Sequence, residues 1–318
     1  MDVEYSFLST VYNNSRIIKV TLESIVNAIN KAEVASEIII IDNYSTDGTF
    51  EILKTLQKEL RNNRYIIRFI IIRKKCSRGL GRQLALQLAL GNYVIFFDGD
   101  SLYDSDLLAI ILKLYYQKFK GKVLLINEPG FYGIFPKDIA IRIGFRDLNY
   151  AEDIDFLTRL LRSYSNLTYS LPLSLSQNED VKGDREKRYA KGVKYVYRII
   201  RNYVDRAISY GLIPRNSIIL FRQMYNLPII ETIVLSLINT IIIYLMYAKI
   251  KPIINKEPNF IFVDKIFLER ILDPTELGIE AYPVSSFVKE IISFSTKEIY
   301  FIPKNVLVKV INMIKNKL

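Results

Sequence analysis

The chain has no histidine, no tryptophan and a single cysteine, Cys76, in 318 residues. Without imidazole there is no Ser-His-Asp triad, no His-ligated zinc and no His proton shuttle. One cysteine closes no intramolecular disulfide and builds no cysteine-rich metal site. Any catalysis is left to carboxylates, Lys, Arg, Tyr, hydroxyls or a hard cation. No apolar stretch with a basic flank opens the chain, so no signal peptide is expected and the N-terminal part is expected to stay in the cytoplasm. No internal repeat or low-complexity tract is visible. What is present is apolar: half of the residues are hydrophobic, too many for a disordered chain, and the length suits one large core plus an appendage.

The net charge of +11 is concentrated. Lys182 to Arg222 carries eleven basic residues against Asp184, Glu186 and Asp205, a net of +8, and the rest is nearly balanced. Such a block suits a polyanionic surface, either nucleic acid or anionic lipid. Directly after it, Ile229 to Ala248 is apolar over about the 20 residues that span a bilayer core as a helix. Glu231, Ser236, Asn239 and Thr240 make it less apolar than a typical span, so a buried core helix is the alternative. Val193 to Tyr210 places Val196, Ile199, Ile200, Tyr203, Val204 and Ala207 at helical spacing with arginines around them, a basic amphipathic helix suited to a membrane surface. From Lys251 to Leu318, Pro252, Pro258, Pro274, Pro283 and Pro303 punctuate a stretch that either packs on the main domain or lies on the membrane.

The first half alternates. Tyr5 to Val11 is an apolar run, followed by the polar break Tyr12-Asn13-Asn14-Ser15 and a helical pattern through Ile17, Ile18, Leu22, Ile25 and Val26. Glu37 to Ile41 is a β-branched run, Asp42 to Gly48 a turn, and Thr49 to Leu60 a helix. Ile66 to Ile72 reads as a strand, Gly79 to Leu90 as a helix, and Tyr93 to Phe97 as a strand entering Asp98-Gly99-Asp100. Continuous apolar strands separated by helices predict an α/β fold, a mostly parallel sheet with helices on both faces. In such sheets ligands bind beyond the carboxyl ends of the strands, where the loops Tyr12 to Ser15, Asp42 to Asp47 and Asp98 to Ser101 lie.

Two carboxylates flanking one glycine after a buried strand can present oxygens to a hard divalent cation, with Gly99 allowing a ligand close to the backbone. A solvated acidic turn has the same pattern, and only its company separates the two. Ser9-Thr10-Val11-Tyr12-Asn13, Ile40-Ile41-Asp42-Asn43-Tyr44-Ser45-Thr46-Asp47-Gly48-Thr49, Arg78-Gly79-Leu80-Gly81-Arg82-Gln83-Leu84-Ala85 and Gly91-Asn92-Tyr93-Val94-Ile95-Phe96-Phe97-Asp98-Gly99-Asp100 follow in order. With Asn149-Tyr150-Ala151-Glu152-Asp153-Ile154-Asp155 and the preceding Gly130 to Pro136 and Gly144-Phe145-Arg146, this series resembles the family-2 glycosyltransferases of GT-A fold over residues 5 to 165. The resemblance implies a Rossmann-like GT-A sheet and inverting transfer from a nucleoside-diphosphate sugar. It places Thr10, Tyr12, Asn13, Asp42, Arg82, Asp98 and Glu152 at the nucleotide-sugar, Asp98 and Asp100 at a Mg²⁺ or Mn²⁺, and Asp153 as the base. Without His, a carboxylate is the natural acceptor of a hydroxyl proton, and crowding of Glu152, Asp153 and Asp155 is expected to raise at least one of their pKa values. The alternatives are a helix cap at Asp153, turn ordering at Asp42 and Asp47, and an exposed helix position at Arg82.

The absence of Trp removes the Gln-x-x-Arg-Trp motif of processive synthases, so a single transfer to a lipid-linked or glycan acceptor is expected. An already ionised polyprenyl-phosphate acceptor would weaken the need for a base. A basic, Tyr-rich nucleic-acid-binding protein explains the charge, but acidic turns at the strand ends repel phosphate unless a metal is bound, so no nucleic-acid partner is expected. A sugar-nucleotide pyrophosphorylase needs a Gly-rich basic loop after the first strand, which Tyr12 to Ser15 is not. The expected division is a catalytic domain over 1–170, a basic amphipathic region over 171–227, an apolar helix over 228–250 and an appendage over 251–318. The location expected is the cell membrane, with an anionic surface as partner.

Overall fold

The first four strands contain no Gly or Pro, the second and third of them are isoleucine-rich runs, and the turn residues between them release the chain into helices. A computed structural model describes residues 2–126 and 132–171, together with 173, 175–177, 201, 202, 205, 272 and 277. Its elements begin with β1 (Tyr5–Val11), α1 (Ile18–Ala32), β2 (Ser36–Asp42), α2 (Thr49–Glu59), β3 (Ile66–Arg73), α3 (Arg78–Leu88) and β4 (Tyr93–Phe96). After these come a short β5 (Leu102–Tyr103), α4 (Ser105–Leu114), β6 (Val123–Ile126), β7 (Tyr132–Pro136), α5 (Lys137–Ile143), α6 (Glu152–Tyr164), β8 (Thr168–Leu171) and β9 (Ser176–Gln177). The elements expected up to residue 100 are all present, with ends within two residues of those expected except for α1, which runs on six residues past Val26 to Ala32.

Seven strands form one sheet in the order β3-β2-β1-β4-β7-β6-β8, and β5 pairs with β9 beside it. β1, β2, β3 and β4 run parallel, and so do β6 and β8. β7 is antiparallel to both of its neighbours, β4 and β6. The sheet is therefore mixed, and its parallel half carries the loops read as a site.

Alternation along the strands divides the core into two layers. Phe7, Ile38, Ile40 and Ile95 point to one face with Leu22 and Ile25 of α1, Leu53 of α2 and Leu107 and Ile111 of α4. Leu8, Ile39, Ile41, Val94 and Phe96 point to the other, with Ala85 and Leu86 of α3, Ile139 of α5 and Phe156 and Leu160 of α6. In that second layer Phe145 and Phe156 stack at 4.5 Å between ring centres, and Phe96 meets both edge-on at 4.9 and 5.8 Å. Loss of such a ring costs about 3–5 kcal/mol. The cluster fixes α6 against the strand that ends at Asp98.

Caps locate the helix starts. The Ser77 side chain accepts from the Leu80 N–H at the head of α3, and Asp104 accepts from Asp106 and Leu107 at the head of α4, which satisfies first-turn donors. From the C-terminal part, Leu272 and Leu277 pack on the first core layer, and the Leu272 N–H donates to the Ser170 carbonyl at 2.9 Å. Backbone is helical at Arg201, Asn202 and Asp205. The apolar run Ile229 to Ala248 and nearly all of the basic block lie outside the described residues. Among the described residues no helix is long and apolar enough to cross a membrane.

Candidate active site

The polar loops at the carboxyl ends of β1 and β2 are sewn to each other. The Asn13 N–H donates to Ser45 Oγ at 2.9 Å, and the Thr46 N–H returns to Asn13 Oδ1 at 2.9 Å. The Asn14 N–H reaches Thr49 Oγ1 at 2.8 Å and the Ser15 N–H reaches Asp47 Oδ2 at 2.9 Å. Burial pushes the Asp47 carboxyl up, but the donors of Thr49 and Ser15 outweigh it and hold it below the usual carboxylate range. Asp42 is fully buried, accepts from the Ser45 N–H at 3.2 Å and pairs with Arg73 at 3.3 Å. It orders the turn and fixes Arg73. Arg73 in turn lies 5.2 Å from the Tyr44 ring and 4.8 Å from the Phe50 ring.

Tyr12 and Tyr44 stand open beside this seam, 48% and 53% exposed. Asn13, Tyr44 and Ala151 all have left-handed backbone, with φ of 53°, 54° and 55°. Non-glycine residues in this region cluster where surroundings enforce them, often at functional sites. Thr10 donates to the Arg78 carbonyl at 3.4 Å, which ties the end of β1 to the start of α3.

The charged centre is built from residues far apart in sequence. Arg82 is not an exposed helix position: it is 2% exposed, with its guanidinium 2.8 Å from Asp98 Oδ1 and 2.9 Å from Glu152 Oε1. Arg78 approaches the same Glu152 oxygen at 3.6 Å. The Phe145 ring lies 5.9 Å from the Arg82 guanidinium, so the aromatic cluster and the ion pair position each other. Burial, together with the charges of Asp100 and Asp153, pushes the Asp98 carboxyl up to about 6 against the pull of Arg82 and Arg78. Asp100 and Asp153 thus lie near enough to Asp98 for their charges to act on it.

Two expectations are corrected in their reasons. Gly99 is not explained by ligand access alone: a side chain there would run into Val11 and Ile18, so the glycine also serves packing under the loop. Nor do Glu152, Asp153 and Asp155 crowd each other. Glu152 turns to Arg82 and Arg78, and fully buried Asp155 turns to Arg146 at 3.3 Å and Arg159 at 2.6 Å. Asp153 lies near enough to Asp98 for its charge to help raise that carboxyl. Asp153 does not cap its helix across the first turn; it accepts only from the adjacent Ile154 N–H at 2.8 Å. Arg78, Arg73 and Tyr44 went unrecognised as parts of the site, although Arg78 and Tyr44 stand inside motifs that were read.

Among the described residues no group of three or more metal-ligating side chains is assembled. Asp98 and Asp100 supply two carboxylates, and a diphosphate would supply the remaining hard oxygens of a cation's shell.

A doubly covered sheet whose polar loops gather beyond the carboxyl ends of its parallel strands is the architecture of nucleotide-binding α/β enzymes. Residues 6–169, just over half of the chain, match the profile of glycosyl transferase family 2, and the chain belongs to that family, a glycosyltransferase by class. It is 30% identical over 153 residues to an uncharacterized glycosyltransferase of Rickettsia felis, covering 43% of this chain and 24% of that protein. It is 32% identical over 106 residues to a poly(ribitol-phosphate) beta-glucosyltransferase of Bacillus spizizenii, covering 33% and 16%. It is 34% identical over 92 residues to a cholesterol galactosyltransferase of Borreliella burgdorferi, covering 29% and 24%. The matches span about a quarter or less of these relatives' own lengths. Among solved structures, S. aureus TarS 1-349 in complex with UDP-GlcNAc is similar at 18% identity and a TM-score of 0.45, over 64% of this chain and 67% of that one. The mannosyltransferase PcManGT of Pyrobaculum calidifontis, in complex with GDP-Man and Mn²⁺, is similar at 14% identity and a TM-score of 0.46, over 80% and 82%.

Proposed function

We propose that this chain moves a sugar from a nucleoside-diphosphate sugar to the hydroxyl of a glycan or lipid-linked acceptor, by a single inverting displacement at a cytoplasmic membrane face. The observation that carries the reading is the convergence of Asp98, Asp100 and Asp153 around the buried Arg82–Glu152 pair, at the ends of parallel strands. Tyr12, Asn13 and the Asp42 turn form the nucleoside side of the cleft. Arg82 and Arg78 face the charge that grows on the departing diphosphate. Asp153, which has no cation partner among the described residues, takes the proton of the attacking hydroxyl.

Asp98 and Asp100 would hold Mg²⁺ or Mn²⁺. Their donors are hard carboxylate oxygens, and the charges of Asp100 and Asp153, which add to the burial that raises Asp98, are of the kind a cation offsets. When bound, the ion stabilises negative charge on the diphosphate. Two of the relatives are named for a ribitol-phosphate polymer and for cholesterol, which supports polymer and lipid acceptors alike. The basic block of Lys182 to Arg222 and the apolar run of Ile229 to Ala248 support a membrane location.

Hydrolysis screened across UDP- and GDP-linked sugars with Mn²⁺ tests the reading. One donor class is expected to release its nucleotide, with Asp100→Ala losing the Mn²⁺-dependent gain in nucleotide affinity by calorimetry; release from no donor would overturn it. Full-length protein is expected to pellet with anionic liposomes at low salt, since each basic residue at the surface contributes roughly 1 kcal/mol. Protein left in the supernatant would remove the membrane from the proposal.

A further inference from the structure

The loop that delivers Asp153 is not self-supporting. It turns into α6 through Ala151, a non-glycine residue at φ 55° with no side-chain cap to offer. A left-handed residue at a helix start persists where its surroundings over-determine it. One side of the loop is pinned by α3: the Gly79 N–H donates to the Leu148 carbonyl at 2.9 Å, and Gly79 packs so closely on the Arg146 carbonyl that no side chain fits. The other side is pinned from far along the chain. Asp205, 7% exposed, accepts the Asn149 N–H on its Oδ2 at 2.8 Å, and the Tyr150 N–H also bonds to its carboxylate. Two successive backbone amides on one carboxylate are charge-assisted bonds, stronger than neutral ones and directional. Arg201, one helical turn before Asp205, attracts the same carboxylate.

We propose that Asp205 is a positioning residue for the transfer reaction: it holds the Asn149–Ala151 turn so that Asp153 faces Asp98, and thereby links the basic segment of the chain to the catalytic centre. This rests on the proposed role of Asp153. The argument from cost points the same way. Burial pushes the Asp205 carboxyl up to about 6 although Asn149, Arg201 and Tyr150 all favour its charged form. A carboxylate so desolvated is retained where its hydrogen bonds do something that an apolar residue in its place cannot do. Its location adds a functional corollary. Asp205 lies within Lys182 to Arg222, the block whose arginines and lysines suit an anionic surface. The segment that would meet that surface thus touches the turn from which α6 starts.

The test compares full-length wild type with Asp205→Ala and Asp205→Asn, by hydrogen–deuterium exchange and by donor hydrolysis. Asparagine keeps one acceptor oxygen of the same shape, and alanine keeps none. Exchange of the Asn149 and Tyr150 amides should rise at least about tenfold in the alanine variant and by less in the asparagine variant, with the 36–42 strand unchanged. Turnover should fall roughly ten- to a hundredfold in the alanine variant at a nearly constant donor KM, the size expected when a reacting group is displaced by about an ångström. The asparagine variant should recover part of it. Unchanged exchange at residues 149 and 150 would overturn the proposal, as would faster exchange with unchanged turnover. A uniform rise in exchange across all strands in both variants would also overturn it, because Asp205 would then be a general stabiliser. Absence of any turnover by the wild type would instead sink the proposed transfer, and the exchange measurement would still decide whether Asp205 holds the turn.

Discussion

Two glutamates lie fully buried against arginines, one at each end of the parallel strands, and they are held in different ways. At the amino end, Glu37 of β2 accepts from Ser6 Oγ at 2.6 Å, from the N–H groups of Leu90 and Gly91 at 2.5 and 3.2 Å, and from Arg68 Nε at 2.7 Å. Ser6, Glu37 and Arg68 sit side by side in register on β1, β2 and β3. At the carboxyl end, Glu152 meets Arg82 and Arg78 as charges, and neither of its buried oxygens receives an aligned hydrogen bond. The same residue pair thus serves two purposes. Where every lone pair is used, the carboxylate locks strands together; where bonding capacity is left over in a buried site, a ligand has something to complete.

The largest effect expected at the carboxyl end is that of Asp153→Asn. Turnover should fall by about 10²–10⁴-fold with nucleotide affinity intact, because the change removes proton acceptance and keeps shape. Steady-state rates and calorimetry decide it, and near-normal turnover would mean an acceptor that arrives already ionised. The contrast between the two glutamates comes next. Glu37→Ala should cost about 3–5 kcal/mol in denaturant unfolding, because it strands Arg68 and two amide groups, and leave nucleotide affinity unchanged in the folded fraction. Glu152→Gln should change stability by less than about 1 kcal/mol while nucleotide affinity falls. The reverse pattern would break the comparison.

The smallest effect is one of pH. Asp98 and Asp205 are both raised from 3.8 to about 6, so the folded protein holds these protons more tightly than the unfolded chain. The stability this adds is complete below the ordinary carboxylate range and is lost as pH rises through about 6. The unfolding free energy should therefore decline between pH 4 and 7. Asp98→Asn and Asp205→Asn should each flatten part of the slope, and a slope unaltered in both would remove these groups as its source.

Much of the parallel half was legible because its strands are unbroken β-branched runs, such as Glu37 to Ile41, that no helix surface would bury. The antiparallel β7 was not, since nothing in Tyr132 to Pro136 records which neighbours it joins. Motif spacing located Asp98, Asp100, Glu152 and Asp153, but it could not show that Arg82 bridges two of them, because that contact depends on α3 and α6 packing on one sheet face. The expected crowding of the acidic motif failed in part for a similar reason: Arg146 reaches Asp155 through the fold, while Arg159 is its i,i+4 neighbour on α6. Asp205 looked like one of three acids diluting a basic block, and its bond to Asn149 has no local signature.

The lock around Glu37 also sets an order of events at the ribosome. Its members, Ser6, Glu37, Arg68 and Gly91, have all been made by the time the chain reaches residue 91, whereas Arg82 waits for Glu152. At about 5–20 residues per second, roughly 60 residues of synthesis separate the two closures by about 3–12 seconds. The first four strands are complete in the nascent chain while Glu152 is still unwritten, and through that interval Arg82 has Asp98 but not yet its glutamate.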